Sequence, residues 1–353
     1  MATAIKRPEL IKGPWTLAGA YMPKDAGKVF SCFSCAGGST MGYKLAGFDV
    51  IGCNEIDPKV FEVYNANHKP RYPFVCSIRD LIVKDLPSEL FELDILDGSP
   101  PCTSFSMSGS REKQWGRAKK FSEGQAYQRL DDLFFEFIAL AKRLQPKVII
   151  SENVVGIIQG KAKGYVKEII RELDSAGYKT QVFKLNAAQM GVPQARQRVF
   201  FVSQRRDLGK PRVKLDFKEK PITFREVSSW MKPGAALNNE KIIPSCRELW
   251  KKCKPGKSLS SVHPTGSFFN ASKWSYEKPA PTLVSGSICL QFHPEIERPI
   301  NLQEAIACSS FPEDFRFLGV KTDDKKKWFL GMSVPPFMMQ RIALEVRKQW
   351  LAK

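Results

Sequence analysis

The first candidate for chemistry is a cysteine in a short turn, Cys102, within the stretch 98–106. The run 93–97, Leu-Asp-Ile-Leu-Asp, predicts a short buried strand, so the turn puts the thiol at that strand's carboxyl end, where ligands of open α/β sheets bind. Small polar neighbours and the basic stretch 111–120 favour the thiolate over the thiol. Cys102 is therefore a candidate nucleophile, and the alternative is a small buried residue that only packs.

A carboxyl group and two guanidinium groups are expected at the same edge. The apolar run 147–151 delivers Glu152, and Arg196 and Arg198 stand one residue apart before the apolar run 199–202, so in extended chain they point the same way. These groups suit alkylation of a pyrimidine at carbon. A thiolate adds to C6 of cytosine, Glu152 supports N3, and Arg198 binds the O2 edge. Because C6 is shielded in a stacked duplex, the base must be extruded.

A glycine turn between two predicted strands could hold a nucleotide-type ligand. Strand 29–33, turn 34–38, a short helix and strand 48–53 form a βαβ unit. Glu55 follows the second strand, roughly where a dinucleotide-type fold places an acid on ribose hydroxyls. The alternative is a plain connection between a strand and a helix.

The elements that position these residues alternate between strands and helices. Further helices are predicted over 133–144 and 165–173, which indicates an α/β fold with a doubly wound, mostly parallel sheet covered on both faces. From residue 207 the pattern becomes irregular and rich in proline and lysine. The prediction is a catalytic domain over 1–206, to which 299–353 return, and a smaller loop-rich domain over 207–298.

Composition restricts the partner and the compartment. The chain has 353 residues, with 55 Lys and Arg against 36 Asp and Glu, a net charge of +19 that favours a polyanionic partner. It has no apolar run of about 18 residues and no hydrophobic signal core. Nine cysteines at irregular spacing indicate reduced thiols rather than a disulfide framework. A soluble cytoplasmic protein without membrane association is expected.

The ordered motifs resemble those of the DNA cytosine-5 methyltransferases of bacterial or phage type, over about residues 29–343. The matching stretches are 33–38, 54–57, 101–102, 152–154, 194–198, 298–312 and 331–336. By that resemblance Cys102 is the nucleophile, and Glu152 and Arg198 hold the cytosine, with Arg196 in the same motif.

The resemblance implies a Rossmann-like, S-adenosylmethionine-dependent methyltransferase fold with a target recognition domain over 207–298. The expected cofactor is S-adenosylmethionine, and its pocket is expected to be lined by Phe33, Ala36, Gly37, Gly38, Glu55, Ile56, Ser77, Ile78, Ser99, Pro101, Met332, Ser333 and Val334. The expected contacts with double-stranded DNA are Ser106, Arg111, Lys113, Arg117, Lys119, Lys120, Gln194 and Thr282. The implied enzyme is a monomer that methylates C5 of a flipped cytosine through a covalent bond from Cys102 to C6, and a restriction endonuclease acts separately.

The chain departs from the family at five positions that bear on the cofactor or the nucleophile. They are Ser31 for an aspartate, Cys35 for a glycine, Ser77 for an aspartate, Thr103 for a glutamine and Met332 for an asparagine. Each change removes a polar or close contact worth about 1 kcal/mol, so weaker cofactor binding than in a typical member is predicted.

Three other functions compete with this interpretation. A zinc or redox site is suggested by the pair Cys32 and Cys35, but no second pair follows and the chain has three histidines, so no metal is expected. A non-catalytic DNA-binding protein could use the same scaffold. A transfer-RNA cytosine methyltransferase would share the chemistry, but the Cys-Phe-Thr tripeptide of that branch is missing from the smaller domain.

Overall fold

The computed structural model describes residues 10, 13–20, 23–101, 132–231, 242–284 and 290–352. Several residues with predicted roles lie outside the described residues: Cys102, Thr103, Ser106, Arg111, Lys113, Arg117, Lys119 and Lys120.

Strands and helices alternate through the first part of the chain. They are β1 Lys28–Cys32, α1 Gly38–Leu45, β2 Asp49–Glu55, α2 Pro58–His68, β3 Tyr72–Val75, α3 Ile78–Val83, β4 Ile95–Gly98, α4 Leu133–Leu144, β5 Val148–Val154, α5 Lys163–Ser175, β6 Tyr178–Asn186, β7 Gln194–Ala195 and β8 Gln197–Arg205. The later elements are α6 Phe224–Trp230, α7 Pro244–Lys252, β9 Lys257–Ser258, β10 Ser272–Lys273, β11 Ala280–Pro281, β12 Gln291–Phe292, α8 Leu302–Cys308, α9 Asp323–Met332 and α10 Pro336–Val346, followed by a π-helical turn over Arg347–Leu351.

Seven of these strands form one sheet in the order β3-β2-β1-β4-β5-β8-β6. Strands β1 to β5 pair in parallel, whereas β8 runs antiparallel to both β5 and β6. The prediction of an α/β fold with a mostly parallel sheet is confirmed.

Two apolar cores cover the two faces of this sheet. Successive residues of a strand point to opposite faces, so Ile150 packs in one core with helices α1 and α10, and its neighbour Ile149 packs in the other core with α4 and α5. Because both faces are covered, the central strands β1, β4 and β5 are mostly apolar, and their polar residues are concentrated toward the carboxyl ends.

The region between β8 and α8 contains a third, smaller core. Ile242, Cys246, Trp250, Leu259 and Phe292 are among its buried members, and the short strands β9, β10 and β12 form a three-stranded sheet beside them. Residues just after β8 instead pack beside the seven-stranded sheet. The side-chain amide of Gln181 on β6, for example, accepts a hydrogen bond from the Val213 amide at 2.8 Å and donates one to its carbonyl at 3.0 Å.

In the described ranges, no helix has the length and apolar character needed to cross a membrane.

Candidate functional site

The turn between β1 and α1 has an unusual backbone. Phe33, Cys35 and Gly37 have φ angles of 54°, 45° and 80°, all in the left-handed region. Gly37 forms the N-cap of α1, and a Cβ there would collide with the His68 ring. A Cβ on Gly38 would collide with the Val334 carbonyl oxygen, so glycine lets the turn lie directly against the segment before α10.

Glu55 ends β2 and is held beside this turn by three backbone amides. Its Oε2 accepts a hydrogen bond from Cys35 N at 2.9 Å, and its Oε1 accepts bonds from Ile56 N at 2.8 Å and Asp57 N at 3.1 Å. Burial raises the pKa of the Glu55 carboxyl group, and these three bonds oppose that shift. The carboxyl group therefore has a fixed orientation at the end of its strand.

A cavity lies between this turn and the end of α9, and we call it the turn pocket. It is lined by Ser31, Cys32, Phe33, Ser34, Cys35, Gly38, Ser39, Asp97, Ser99, Met332, Ser333 and Val334. Six of the residues predicted to line a cofactor pocket are therefore brought together here from three distant parts of the chain: Phe33, Gly38, Ser99, Met332, Ser333 and Val334. Met332 keeps 47% of its surface exposed.

Other predicted cofactor residues support the turn pocket from behind or lie beside it. The Ala36 carbonyl oxygen contacts His68 Nε2 at 3.2 Å, and the Ala36 side chain is fully buried. Ser77 caps α3 by accepting a bond from Arg79 N at 3.3 Å, and Ile78 packs in the core behind Phe33. Pro101, the last described residue before the gap, is half-buried.

The carboxyl end of β5 carries an ion pair. Glu152 Oε1 lies 2.8 Å from Arg198 Nε, and the two side chains are only 12% and 14% exposed. The pairing follows from the register, because antiparallel β8 begins opposite the end of β5, with Arg198 facing Val154. Burial lowers the pKa of Arg198, and the neighbouring carboxylate opposes that shift.

The end of β4 is tied to the same edge. Gly98 pairs with Ser151 in the parallel register, and Asn153 Nδ2 donates to the Pro100 carbonyl oxygen at 3.1 Å. The backbone that leads toward Cys102 is therefore fastened beside Glu152.

The structure corrects two predictions within the stretch 194–198. Gln194 was predicted to contact DNA, but it is 1% exposed, and its amide group contacts the Cys308 carbonyl oxygen at 3.4 Å and Leu283 N at 3.3 Å. Arg196 was predicted to be catalytic, but it is 2% exposed and donates to the carbonyl oxygens of Leu283 at 3.2 Å and Gly331 at 2.9 Å. Both side chains join separate segments rather than face a ligand.

Thr282, the other described residue predicted to contact DNA, lies next to this junction. Its hydroxyl group donates to the Ala195 carbonyl oxygen at 2.8 Å, which complements the pairing of β11 with β7. The contact holds the loop after β11 close to the start of β8, where Arg198 lies.

Asp97 was missed by the sequence analysis. It is 2% exposed, and its two carboxyl oxygens accept hydrogen bonds from the Ser31 hydroxyl at 2.7 Å and the Tyr43 hydroxyl at 3.2 Å. Burial raises its pKa to about 7, the two hydrogen bonds oppose the shift, and the Glu152 charge adds to it. The available signal was an acid at the end of a predicted buried strand, where a carboxyl group is costly unless it is bonded.

The thiols of Cys32 and Cys35 are free, and the structure makes them unreactive. Burial raises the pKa of Cys35 to about 12, and burial also raises that of Cys32 well above its ordinary value. Reactive cysteines need a lowered pKa.

The profile of the C-5 cytosine-specific DNA methylase family matches residues 27–348 of this chain. The Type II methyltransferase M.FnuDI of Fusobacterium nucleatum is 29% identical over 344 residues, which cover 91% of this chain and 94% of that protein. The Type II methyltransferase M1.HphI of Haemophilus parahaemolyticus is 30% identical, and the match covers 90% of this chain and 85% of that protein.

One solved structure is that of an E. coli protein whose gene lies within a prophage and which is described as a DNA modification methyltransferase. It superposes on this chain with a TM-score of 0.69 at 20% sequence identity, and the match covers 91% of this chain and 99% of that one. At that identity it supports the fold alone. The family profile, however, spans nearly the whole sequence and includes the strand ends described above. The chain therefore belongs to the C-5 cytosine-specific DNA methylase family, and it is a DNA cytosine-5 methyltransferase.

Proposed function

We propose that this enzyme methylates a cytosine extruded from duplex DNA, with Glu152 and Arg198 holding the base and Cys102 adding to its C6 atom. The observation that carries the proposal is the 2.8 Å ion pair between Glu152 and Arg198 at the edge where β4, β5 and β8 meet. A carboxyl group and a guanidinium in one small area match the N3 and O2 edge of a pyrimidine.

The ion pair prepares this edge for a base. Glu152 uses Oε1 in the pair, and Arg198 uses Nε in the pair and Nη1 on the Gln197 carbonyl oxygen at 2.8 Å. We assign the second carboxyl oxygen of Glu152, carrying a proton, as the donor to N3 of the cytosine, and Nη2 of Arg198 as the donor to O2. A partner at N3 stabilises the charge that develops on the ring when a nucleophile adds at C6.

The position of Cys102 supports its assignment as that nucleophile. It stands four residues after Gly98, the last residue of β4. The bond from Asn153 to the Pro100 carbonyl oxygen holds the described residues just before it beside the end of β5. The thiolate forms a bond to C6, C5 then accepts a methyl group, and loss of the C5 proton is followed by expulsion of the thiolate.

The described residues fit S-adenosylmethionine, the cofactor that the family uses. The fixed Glu55 carboxyl group can accept ribose hydroxyls, and the N-terminus of α1, which has no side-chain cap, presents amide groups to an anion. Among the expected lining residues, Phe33, Gly38, Ser99, Ser333 and Val334 border the turn pocket. When bound, this cofactor supplies an electrophilic methyl group on a sulfonium.

We further propose that residues 207–298 read the DNA sequence as a target recognition domain. This segment has 16 Lys and Arg against 9 Asp and Glu, and its small core over 242–292 is separate from the sheet of the large domain. Positive charge attracts duplex DNA without selecting a sequence. In this proposal the enzyme acts on cytoplasmic DNA as a monomer, and a restriction endonuclease that cuts the same sequence acts separately.

Transfer of a labelled methyl group tests the proposal. Wild-type enzyme should label duplex DNA and leave transfer RNA unlabelled. Cys102→Ala should reduce transfer by at least roughly 1000-fold, because the covalent step is lost. Cys76→Ala, which removes a half-buried thiol elsewhere, is the matched control and should transfer normally.

A duplex with 5-fluorocytosine at the target adds a direct readout, since fluorine cannot leave as a proton. Wild-type enzyme should form a covalent complex with it, and Cys102→Ala should not. An active enzyme that forms no complex would overturn the assignment of Cys102.

A further inference from the structure

The buried carboxyl group of Asp97 has no role in the steps above. It lines the turn pocket on the central strand β4, between the cofactor side of the sheet and Glu152. Ser31 on β1 is its cross-strand partner, and this is the position where the family has an aspartate. An acid is therefore present at this part of the pocket, but it is Asp97 on β4 rather than a residue at position 31 on β1.

The turn pocket has a distinctive charge pattern. No Lys, Arg or His is among its described lining residues, and Asp97 is the one carboxyl group among them. The other ionisable lining groups, Cys32 and Cys35, stay neutral because burial raises the pKa of both thiols. Gly38 and Ser39, which also line the pocket, begin α1, whose N-terminus attracts negative charge. One part of the pocket thus favours a cation and another an anion.

Asp97 is also oriented for a ligand. The Ser31 and Tyr43 hydroxyl groups each donate to a different carboxyl oxygen, at 2.7 and 3.2 Å. A carboxylate has about four acceptor positions, so these two bonds fix its plane and still allow a further donor. A buried carboxyl group is costly unless its remaining acceptor positions are also satisfied.

We propose that Asp97 binds the ammonium group at the amino-acid end of the methyl donor, while the first amides of α1 bind the carboxylate of that end. This inference rests on the proposed use of S-adenosylmethionine. It makes Asp97 a cofactor-binding residue that takes over from position 31, and it predicts that Ser31 and Tyr43 act by orienting it.

The inference predicts a pH dependence of binding. A free-enzyme pKa of about 7 means that Asp97 gains a proton as the pH falls from 8 to 6, so donor affinity should fall by about 10-fold over that range. The other titratable groups that face Asp97 are Cys32, Tyr43, Tyr64 and Glu152, and the pKa values of the first three are raised, which keeps them neutral here. Glu55 and Asp57, across the turn, are two further acids beside Cys35.

Calorimetric titration with S-adenosylhomocysteine and its analogue without the amino group provides the test. The wild type should prefer the amino compound by roughly 10- to 100-fold, the worth of a charge-assisted hydrogen bond. Asp97→Asn should abolish this preference and the pH dependence between 6 and 8. Glu168→Gln, which changes an exposed acid on α5, is the matched control and should retain the preference.

A double variant tests whether the acid has moved between strands. Asp97→Ser should lose the preference, and Ser31→Asp combined with Asp97→Ser should restore it. An Asp97→Asn enzyme that weakens both ligands equally would show that Asp97 only supports the turn, and this would overturn the inference. If that variant does not fold, a flat pH profile of the wild-type preference overturns it as well.

Failure of the underlying function has a different signature. A wild-type enzyme that binds neither ligand would overturn both the donor assignment and this inference. A wild-type enzyme that transfers methyl groups but shows no preference for the amino compound would overturn only the role of Asp97.

Discussion

The two ends of the catalytic edge differ in how they keep their chemical groups. At the β5–β8 end, Glu152 and Arg198 occupy the positions of the family motifs and contact each other directly. At the β1–β4 end, the family acid is replaced by Ser31, and a carboxyl group is supplied by the adjacent strand at Asp97. In the roles proposed above, the end that holds the base keeps the residues of the motif, whereas the end that binds the cofactor keeps an acid but places it on the neighbouring strand.

This difference has a physical reason. A base edge presents donors and acceptors at fixed positions, so each contacting side chain must come from one place. An ammonium group can be approached from several directions, and neighbouring strands lie only about 4.8 Å apart, so a carboxyl group on either strand can reach it. The effect of a substitution within a motif therefore depends on the residue that pairs with it on the neighbouring strand.

The largest expected effect is at the base-holding end. Glu152→Gln should lower the rate of methyl transfer by roughly 100- to 10,000-fold, because the amide cannot supply the proton and charge that N3 needs. Affinity for S-adenosylhomocysteine at pH 8, where Asp97 is mostly ionised in both proteins, should stay unchanged, since Glu152 lies outside the turn pocket. Rapid-quench kinetics and calorimetry measure the two quantities. Glu168→Gln, an exposed acid on α5, is the control, and a loss of donor affinity in Glu152→Gln would remove the contrast between the two ends.

The second prediction separates the two arginines of one motif. Arg196→Ala should lower the free energy of unfolding by about 3 kcal/mol, because the carbonyl groups of Leu283 and Gly331 lose a buried donor. Arg198→Ala should lower the free energy of unfolding by less than Arg196→Ala does, but it should reduce the rate of methyl transfer by more. Urea unfolding followed by circular dichroism measures the stability. Equal stability losses in the two variants would show that Arg196 does not hold these segments together.

The smallest effect concerns stability at the cofactor end. Asp97 has a folded-state pKa of about 7, against 3.8 for an exposed aspartate, so between these values the folded protein holds a proton that the unfolded chain releases. The free energy of unfolding should therefore fall as the pH rises. Ionisation of Asp97 should account for a decrease of about 2 kcal/mol between pH 5 and 7. The difference between wild type and Asp97→Asn in urea unfolding at the two pH values isolates the contribution. An identical pH dependence in both proteins would show that Asp97 is ionised throughout.

The element order was predictable because buried parallel strands and amphipathic helices leave strong local patterns. The predicted strand 29–33 is β1, Lys28–Cys32, and the run 147–151 is the start of β5. The run 93–97 begins its strand later than predicted, at Ile95, because the Asp94 carboxyl group binds Lys28 N at 2.8 Å and the Lys147 ammonium at 2.7 Å instead of entering the sheet interior.

The sequence predicted the site correctly only for residues at strand ends whose side chains do not instead join separate segments of the chain. Glu55 and Glu152 follow apolar runs, Arg198 precedes one, and all three lie at the same edge of the sheet. Gln194 and Arg196 stand in an equally informative motif, yet their side chains join β7 and β8 to the segments at Leu283, Cys308 and Gly331. No local pattern could distinguish these two uses of a polar side chain.

The sequence by itself determined the family, the order of strands and helices along the chain, and the side chains available for chemistry. These could be predicted because apolar periodicity and motif spacing are local properties of the chain. Only the tertiary structure decided which of those groups face the pocket. Ser31 and Asp97 are 66 residues apart and meet because β1 and β4 pair in one particular register. That register depends on packing of the two cores, and one residue of slip would turn each side chain to the opposite face.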